Sequence, residues 1–103
     1  MIRARFSPRA ARDLDQICGY IAADNPEAAE RVRRIILNTG DFLAQHPELG
    51  RRIRKAAASH LQIRWFVVPK SRNYLIFYQP WRETIMVVRL LHAAQDWTRF
   101  CAD

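Results

Sequence analysis

The sequence predicts an α+β domain with the element order β-α-α-β-β-β, in which a helical hairpin packs on one face of a small antiparallel sheet. Two observations predict this class. The N-terminal half has two apolar stripes at helical spacing, separated by the stop segment Asp24-Asn25-Pro26. The C-terminal half has apolar runs rich in β-branched and aromatic residues, separated by short turns. At 103 residues, the chain fits one domain covering residues 1–103.

Both helices have recognisable beginnings. Ser7 precedes Pro8, and a hydroxyl can cap free amides while proline suits the first helical position. This first helix should end near Ala23. The Asp24-Asn25-Pro26 segment then ends one helix and begins the next, which should run to about Gln45. The short connection predicts an antiparallel hairpin whose apolar stripes form the core.

The strands are predicted from alternation and from short turns. A first strand over Ile2–Phe6 should join the sheet, because its backbone groups need partners. Residues Arg51–Ser59 have few large apolar side chains and are expected to form an exposed loop. Three further strands should form an antiparallel meander: Leu61–Val68, Tyr74–Gln79 and Thr84–Leu91.

Basic residues are concentrated in the middle of the chain. The formal charge is +7, from 17 Lys and Arg against 10 Asp and Glu. No acidic residue lies between Glu48 and Glu83, where eight basic residues occur. Such segregation attracts an acidic partner, which charge alone leaves open between nucleic acid, a membrane surface and an acidic protein segment. For Arg51–Lys55 alone, a solvated loop is the simpler interpretation.

Several classes of site and location are disfavoured. Cys18 lies at a core-like helical position, and with Cys101 it shows neither metal-ligand spacing nor a disulfide framework. We therefore expect no metal and no cofactor. The N-terminus lacks a signal-peptide pattern, and no apolar run approaches about 20 residues, so we expect a cytoplasmic protein.

Arg89 interrupts the last apolar run and suggests a face assignment. If it points to the face away from the helices, Val87 and Leu91 share that face, while Val88 and Leu90 point to the helices. We expect that face to be partly open and to carry the functional surface.

Five segments resemble the ParE branch of the RelE/ParE toxin superfamily, in the same order and at similar spacing. They are Phe6–Leu14, Tyr20–Ala29, His46–Arg51, Tyr74–Tyr78 and Val88–Asp96. The chain departs from the family's "HGARD" pattern, where it has Ala93 and Gln95. Alanine suggests that no positive φ is needed there, and glutamine removes a cation.

The resemblance implies a role as well as a fold. It implies the toxin of a type II toxin–antitoxin pair, a cause of growth arrest and a plasmid-stabilisation element. Its cognate antitoxin, ParD-like, would wrap an acidic, extended segment over the toxin's basic sheet face in a heterotetramer or larger complex. ParE-type toxins act on DNA gyrase, so the family also implies a non-enzymatic poison.

We expect two contact surfaces on this basis. The antitoxin should contact the basic sheet region, at Arg64, Arg72, Tyr78, Arg82, Arg89, Arg51 and Arg52. The target should contact aromatic and basic residues beyond the last strand, at Trp97, Arg99 and Phe100.

Two alternatives remain open. A RelE-like, ribosome-dependent mRNA endonuclease would use Arg64, Arg89 and His92, since such chemistry needs a proton-transfer group and cations on the phosphate. A lone histidine at a strand end is more often a hydrogen-bonded side chain, here a partner for Asp96. A plain nucleic-acid-binding module would stack bases on Trp65, Tyr74 and Trp81.

Overall fold

The computed structural model describes residues 2–53, 62–71 and 73–94, and within these it has two helices packed on a five-stranded mixed sheet. The elements are β1 (Arg5–Phe6), α1 (Pro8–Ala22), α2 (Pro26–Gln45), β2 (Arg51–Arg52), β3 (Arg64–Val67), β4 (Tyr74–Trp81) and β5 (Thr84–His92). The predicted α+β class is confirmed. No helix among the described residues is both long and apolar enough to cross a membrane.

Both helices begin as the sequence predicts. Ser7 Oγ accepts a hydrogen bond from the Ala10 amide at 3.0 Å, and Asn25 Oδ1 accepts one from the Ala28 amide at 3.1 Å. Each cap is followed by a proline at the start of the helix. The Ser7 amide also donates to the carbonyl of Val87 at 2.9 Å, which fixes the start of α1 to β5.

The sheet has the strand order β1-β5-β4-β3-β2. The antiparallel meander β3-β4-β5 is confirmed, and β1 joins it parallel to β5. The sheet is therefore mixed. The helical hairpin leads from β1 to β2 at the opposite edge, and the meander then brings the chain back to β5 beside β1. The predicted loop over Arg51–Ser59 is wrong at its start: Arg51 and Arg52 form β2 and pair with β3. Residues 54–59 lie outside the described residues.

Apolar side chains occupy both faces of the sheet. The main core lies between the helices and the sheet; its buried members include Leu14, Ile36, Ile76 and Val87. Since Leu75 and Phe77 alternate with Ile76 along β4, a second buried cluster lies on the far face. This far-side cluster consists of Ile53, Ile63, Leu75, Phe77 and Leu91. The apolar residues at the centre of the far face are thus buried.

A β-bulge in β5 breaks the alternation that the face assignment assumed. Phe77 pairs with Arg89 and Tyr78 with Val87, so Val88 is an extra residue without a partner on β4. Val87 lies in the helix-side core and Val88 packs against the far-side cluster, the opposite of what we expected. The assignments of Leu90 and Leu91 are confirmed, because they lie beyond the bulge.

Gly19 is exposed within α1, and a Cβ added there would meet nothing within 4 Å. Glycine in a helix interior is destabilising by about 0.5–1 kcal/mol relative to alanine, because the unfolded chain has more conformations to lose. Gly19→Ala should therefore raise the free energy of unfolding by that amount, as measured by chemical denaturation. No change, or a loss, would mean that the helix is distorted at this turn.

Candidate functional site

The hydroxyl of Tyr78 joins β4 to the turn that follows α2. It accepts a hydrogen bond from the Gly50 amide and donates one to the carbonyl of Pro47, both at 2.8 Å. The side chain is 1% exposed. Tyr78 therefore joins two parts of the fold, and its side chain, predicted as an antitoxin contact, is buried in this conformation.

Arg64 donates hydrogen bonds to the backbone of the same turn. Its Nη1 atom donates to the carbonyl of Gly50 at 2.7 Å and to the carbonyl of Glu48 at 3.2 Å. The guanidinium is thus turned toward the backbone that precedes β2. Arg64 remains partly accessible, but its described contacts fix the fold.

Arg89 points toward α1 and not to the far face. Its Nε atom lies 2.8 Å from Oδ2 of Asp13, which also accepts from the amide of Leu90 at 3.0 Å. Arg9, one turn earlier on α1, lies 3.4 Å from the other carboxylate oxygen of Asp13. The guanidinium of Arg89 thus reaches a buried carboxylate that also accepts a hydrogen bond from the backbone of β5.

His92 is hydrogen-bonded at the end of β5, in line with the simpler interpretation. Its Nδ1 atom accepts from the amide of Ala94 at 2.9 Å, and its ring meets Tyr74 edge-on at a centroid distance of 5.2 Å. The suggested partner Asp96 lies outside the described residues.

The three candidate catalytic side chains do not converge. Arg64 pairs with Tyr78 and His92 with Tyr74, so the two positions are separated by four residues of β4, about 13 Å along the strand. The strands of Arg64 and Arg89 lie on either side of β4. Arg64 reaches the turn before β2, whereas Arg89 reaches α1. Among the described residues, no group of three or more His, Cys, Asp or Glu side chains could hold a metal ion.

A shallow groove lies along the β2–β3 edge of the sheet. It is lined by Leu49, Arg51, Trp65, Phe66 and Val67, of which Leu49 and Val67 are exposed. The guanidinium of Arg51 lies over the Trp65 ring, 5.9 Å from its centroid. This groove, with the exposed Arg52 beside it, is an accessible part of the predicted antitoxin surface.

Arg82 occupies the tip of the β4–β5 hairpin, far along β4 from the groove. It is exposed, has a positive φ of 55°, and stacks on Trp81 at 5.5 Å from the ring centroid. Arg3 and Arg5 lie beside this hairpin and line a common groove with it. These two arginines lie two positions apart in the sequence, but only the sheet order brings them next to Arg82.

The remaining predicted residues cannot be placed. Arg72 of the proposed antitoxin surface lies outside the described residues, as does the proposed target-contact segment with Trp97, Arg99 and Phe100.

The stability of the fold should fall in alkaline solution. Burial raises the pKa of Tyr78 above its usual 10.0, although the Gly50 amide and Arg64 oppose the shift; burial likewise raises the pKa values of Tyr74 and, above its usual 9.0, Cys18. Such groups hold their protons more tightly when folded. Their contribution is fully present below the unfolded pKa and is lost as the pH rises through the folded one.

Unfolding free energies measured at several pH values between about 8 and 11 should therefore decrease with pH. Tyr78→Phe should flatten this decrease and lower the unfolding free energy near pH 8, because a buried amide and a partly buried carbonyl lose their partner. Tyr20→Phe is the matched control, since it removes a hydroxyl from a side chain that is 85% exposed. An unchanged slope in Tyr78→Phe would exclude Tyr78 as a source of the decrease.

Known proteins resemble the chain in sequence and in fold. The family model for the ParE toxin of the type II toxin–antitoxin system parDE matches residues 4–97. The toxin candidate Y4kP of Sinorhizobium fredii is 36% identical over 92% of each chain. Toxin RelE2 of Caulobacter vibrioides is 34% identical over 92% of this chain and 99% of its own length, and toxin RelE3 of the same organism is 28% identical over 92% and 98%.

A solved structure shares the fold. A chain from the chromosomal ParDE toxin–antitoxin system of P. aeruginosa superposes with a TM-score of 0.68, covering 89% of this chain and 96% of that one at 19% identity. The family match spans both helices and every described strand. With the identity to toxin relatives, it leads to one conclusion: the chain belongs to the ParE toxin family of type II toxin–antitoxin systems.

Proposed function

We propose that this chain poisons DNA gyrase without catalysing a reaction of its own, acts in the cytoplasm, and is neutralised by a cognate ParD-like antitoxin. The observation that carries the proposal is the ParE family match over residues 4–97. The expectation of gyrase as the target comes from the resemblance to ParE-type sequences, and the family itself implies an antitoxin partner. We further propose a heterotetramer or larger complex with that antitoxin.

The geometry of the candidate catalytic residues supports the non-enzymatic part of the proposal. RNA cleavage needs a proton-transfer group and cations gathered within hydrogen-bonding reach of one phosphate. Here Arg64 of β3 binds backbone carbonyls and Arg89 of β5 binds Asp13, and β4 lies between their strands. An active site built from them and His92 would require both to leave these partners.

The β2–β3 groove supports a place for the antitoxin. It combines exposed apolar side chains, Leu49 and Val67, with the cations Arg51 and Arg52. Within the described residues, Phe66 and Val67 pair with β4 on one side and have no strand on the other. An amphipathic acidic segment fits such an edge, since its carboxylates can meet the arginines while its apolar side chains cover the groove.

Co-expression tests the toxin–antitoxin assignment. The chain expressed alone should arrest growth, and expression together with the adjacent antitoxin gene should restore it. Arg51→Glu/Arg52→Glu should weaken antitoxin binding by at least about tenfold, because two attractions become repulsions. The matched control is Arg12→Glu/Arg31→Glu, on exposed positions of the helices; an equal effect there would exclude the groove.

Two assays on purified components test the target. We expect inhibition of gyrase supercoiling with accumulation of cleaved DNA, and no ribosome-dependent cutting of mRNA. His92→Gln should leave gyrase inhibition intact, because no proton transfer is required. Ribosome-dependent mRNA cleavage with normal supercoiling would overturn the gyrase proposal in favour of a RelE-like endonuclease.

A further inference from the structure

A cleft of about 260 Å³ lies between α1 and the adjoining ends of β4 and β5. Neither of the two grooves described above includes it. Three of its side chains come from one stripe of α1, and three come from the strands. We call it the α1 cleft and define it by Arg9, Gln16, Tyr20, Tyr74, Arg89 and His92. Since Tyr74 packs against the helix-side core, the cleft lies on the side of the sheet opposite the far-side cluster.

One end of the α1 cleft is cationic. Arg89 and Arg9 both form ion pairs with Asp13 through their Nε atoms, and their side chains are 25% and 58% exposed. Within the described part of the chain these two arginines have no other ion pair or side-chain hydrogen bond, so their Nη protons are left for a ligand. Two guanidinium groups against one carboxylate leave an excess of positive charge, which favours an anion.

The same contacts fix the cationic end before any ligand arrives. Asp13 is 6% exposed and also accepts a hydrogen bond from the Leu90 amide at 3.0 Å, so its carboxylate is held between α1 and β5. Both guanidinium groups are anchored to this carboxylate. An anion can therefore bind to the Nη atoms of Arg9 and Arg89 while each arginine keeps its contact with Asp13, and a preorganised site costs less to occupy.

The other end of the α1 cleft is aromatic. The rings of Tyr74 and His92 meet edge-on at a centroid distance of 5.2 Å and form its strand side. Tyr20 lines the helix side and is 85% exposed, so its ring offers a face to a planar ligand. Gln16, about one turn before Tyr20 on the same helix, adds an exposed amide that can both donate and accept hydrogen bonds.

The spacing of the two ends distinguishes between anionic ligands. Arg9 and Tyr20 are eleven residues apart on α1, about 16 Å along the helix axis. Arg89 and His92 are about 10 Å apart along β5. A ligand that occupies both ends therefore needs an anion and a flat ring joined by a short spacer, which describes a nucleotide. The aliphatic side chains that line the cleft are half-buried or buried, so an apolar peptide side chain would find little surface to cover.

We propose that the α1 cleft binds a single nucleotide. Its phosphate contacts the Nη atoms of Arg9 and Arg89, its base stacks on Tyr20, and the edge of the base lies within reach of Gln16. A free mononucleotide and the terminal nucleotide of a strand present the same groups. The proposal goes beyond the gyrase assignment, since it holds for this chain whichever target the toxin acts on.

Two exposed residues allow each end of the cleft to be changed without disturbing the core. Arg9→Gln removes a cation and Tyr20→Ala removes a ring, both from the surface of α1. The matched controls are Arg12→Gln on the same helix and Phe42→Ala on α2, where the ring is 48% exposed; both lie outside the cleft. All four variants should keep the fold, and the spread of amide signals in their NMR spectra checks this directly.

The probe is adenosine monophosphate, titrated into the full chain at about 50 mM salt and followed by amide chemical shifts. Amides of the cleft residues on α1 and β5 should shift and saturate. Arg9→Gln should weaken binding by about threefold to fivefold, Tyr20→Ala by about fivefold to tenfold, and each control by less than about twofold. Adenosine should depend on Tyr20 and not on Arg9, whereas inorganic phosphate should show the reverse dependence.

A short oligonucleotide with a terminal phosphate separates the two sources of the nucleotide. Tighter binding than adenosine monophosphate, with the same dependence on Arg9 and Tyr20, assigns the cleft to the end of a strand; equal or weaker binding assigns it to free nucleotides.

Two results would overturn the proposal. One is the absence of shifts at the cleft with either probe up to about 10 mM. The other is an equal loss in the cleft variants and in their controls, which would show attraction to net charge and to exposed rings in general. Neither result depends on gyrase inhibition, so failure here and failure of the proposed function can be told apart.

Discussion

Asp13→Ala should lower the free energy of unfolding by about 3–5 kcal/mol, a large part of the 5–15 kcal/mol typical of a native domain. The carboxylate is 6% exposed and has three partners: the side chains of Arg89 and Arg9, which form ion pairs with it, and the amide of Leu90. Its removal leaves Arg89 without its carboxylate and a buried amide without an acceptor. Urea unfolding followed by circular dichroism measures the loss.

The same helix provides a matched control. Asp15 is 71% exposed and forms an ion pair with Arg33 at 3.3 Å, so Asp15→Ala should cost at most about 0.5 kcal/mol. The loss of unfolding free energy in Asp13→Asn should lie between those of the two alanine variants, because an amide oxygen can still accept from the Leu90 amide. Equal stabilities for Asp13→Ala and Asp15→Ala would show that the buried carboxylate does not stabilise the junction between α1 and β5.

Gly50→Ala should destabilise the fold by roughly 2–4 kcal/mol, although it adds a single methyl group. A Cβ at this position would lie 2.5 Å from Oη of Tyr78 and 2.9 Å from the backbone oxygen of Trp65. Neither neighbour can yield easily, since one is a fully buried ring and the other is strand backbone. Separating them breaks the hydrogen bonds that join β4 to the turn before β2. Thermal and urea unfolding should both report the loss.

Gly19→Ala makes the same chemical change with the opposite expected sign, and it therefore controls for the loss of glycine itself. The double variant Gly50→Ala/Tyr78→Phe should be less destabilised than the sum of its single variants, because removal of Oη relieves the shortest contact. Strict additivity would place the strain of Gly50→Ala elsewhere.

Local signals predicted the helices well. Both caps, both first-turn prolines and both helix ends agree with the structure to within one residue. These features depend on hydrogen bonds and φ restrictions within a few residues, so the sequence contains nearly all the relevant information. The meander was predicted for the same reason, because short turns connect its strands.

The candidate site was harder to predict, since its residues were assigned to faces by simple alternation. One extra residue at Val88 shifts that alternation, and nothing in the apolar run Val87–Leu91 marks where the bulge occurs. Arg89 meets a carboxylate 76 positions away in the sequence, which no local pattern indicates. Tyr78 was placed on a binding surface although the turn at Gly50 buries its hydroxyl.

The sequence by itself determined the class of the fold, the bounds of its helices, the segregation of its charge and its family. Tertiary structure alone decided which basic residues are accessible. Arg64 and Arg89 are committed to internal partners, whereas Arg3, Arg5 and Arg82 are brought together from opposite ends of the chain. The physical reason is that a charged side chain takes whichever partner the packing of distant segments places beside it, and sequence spacing carries no record of those neighbours.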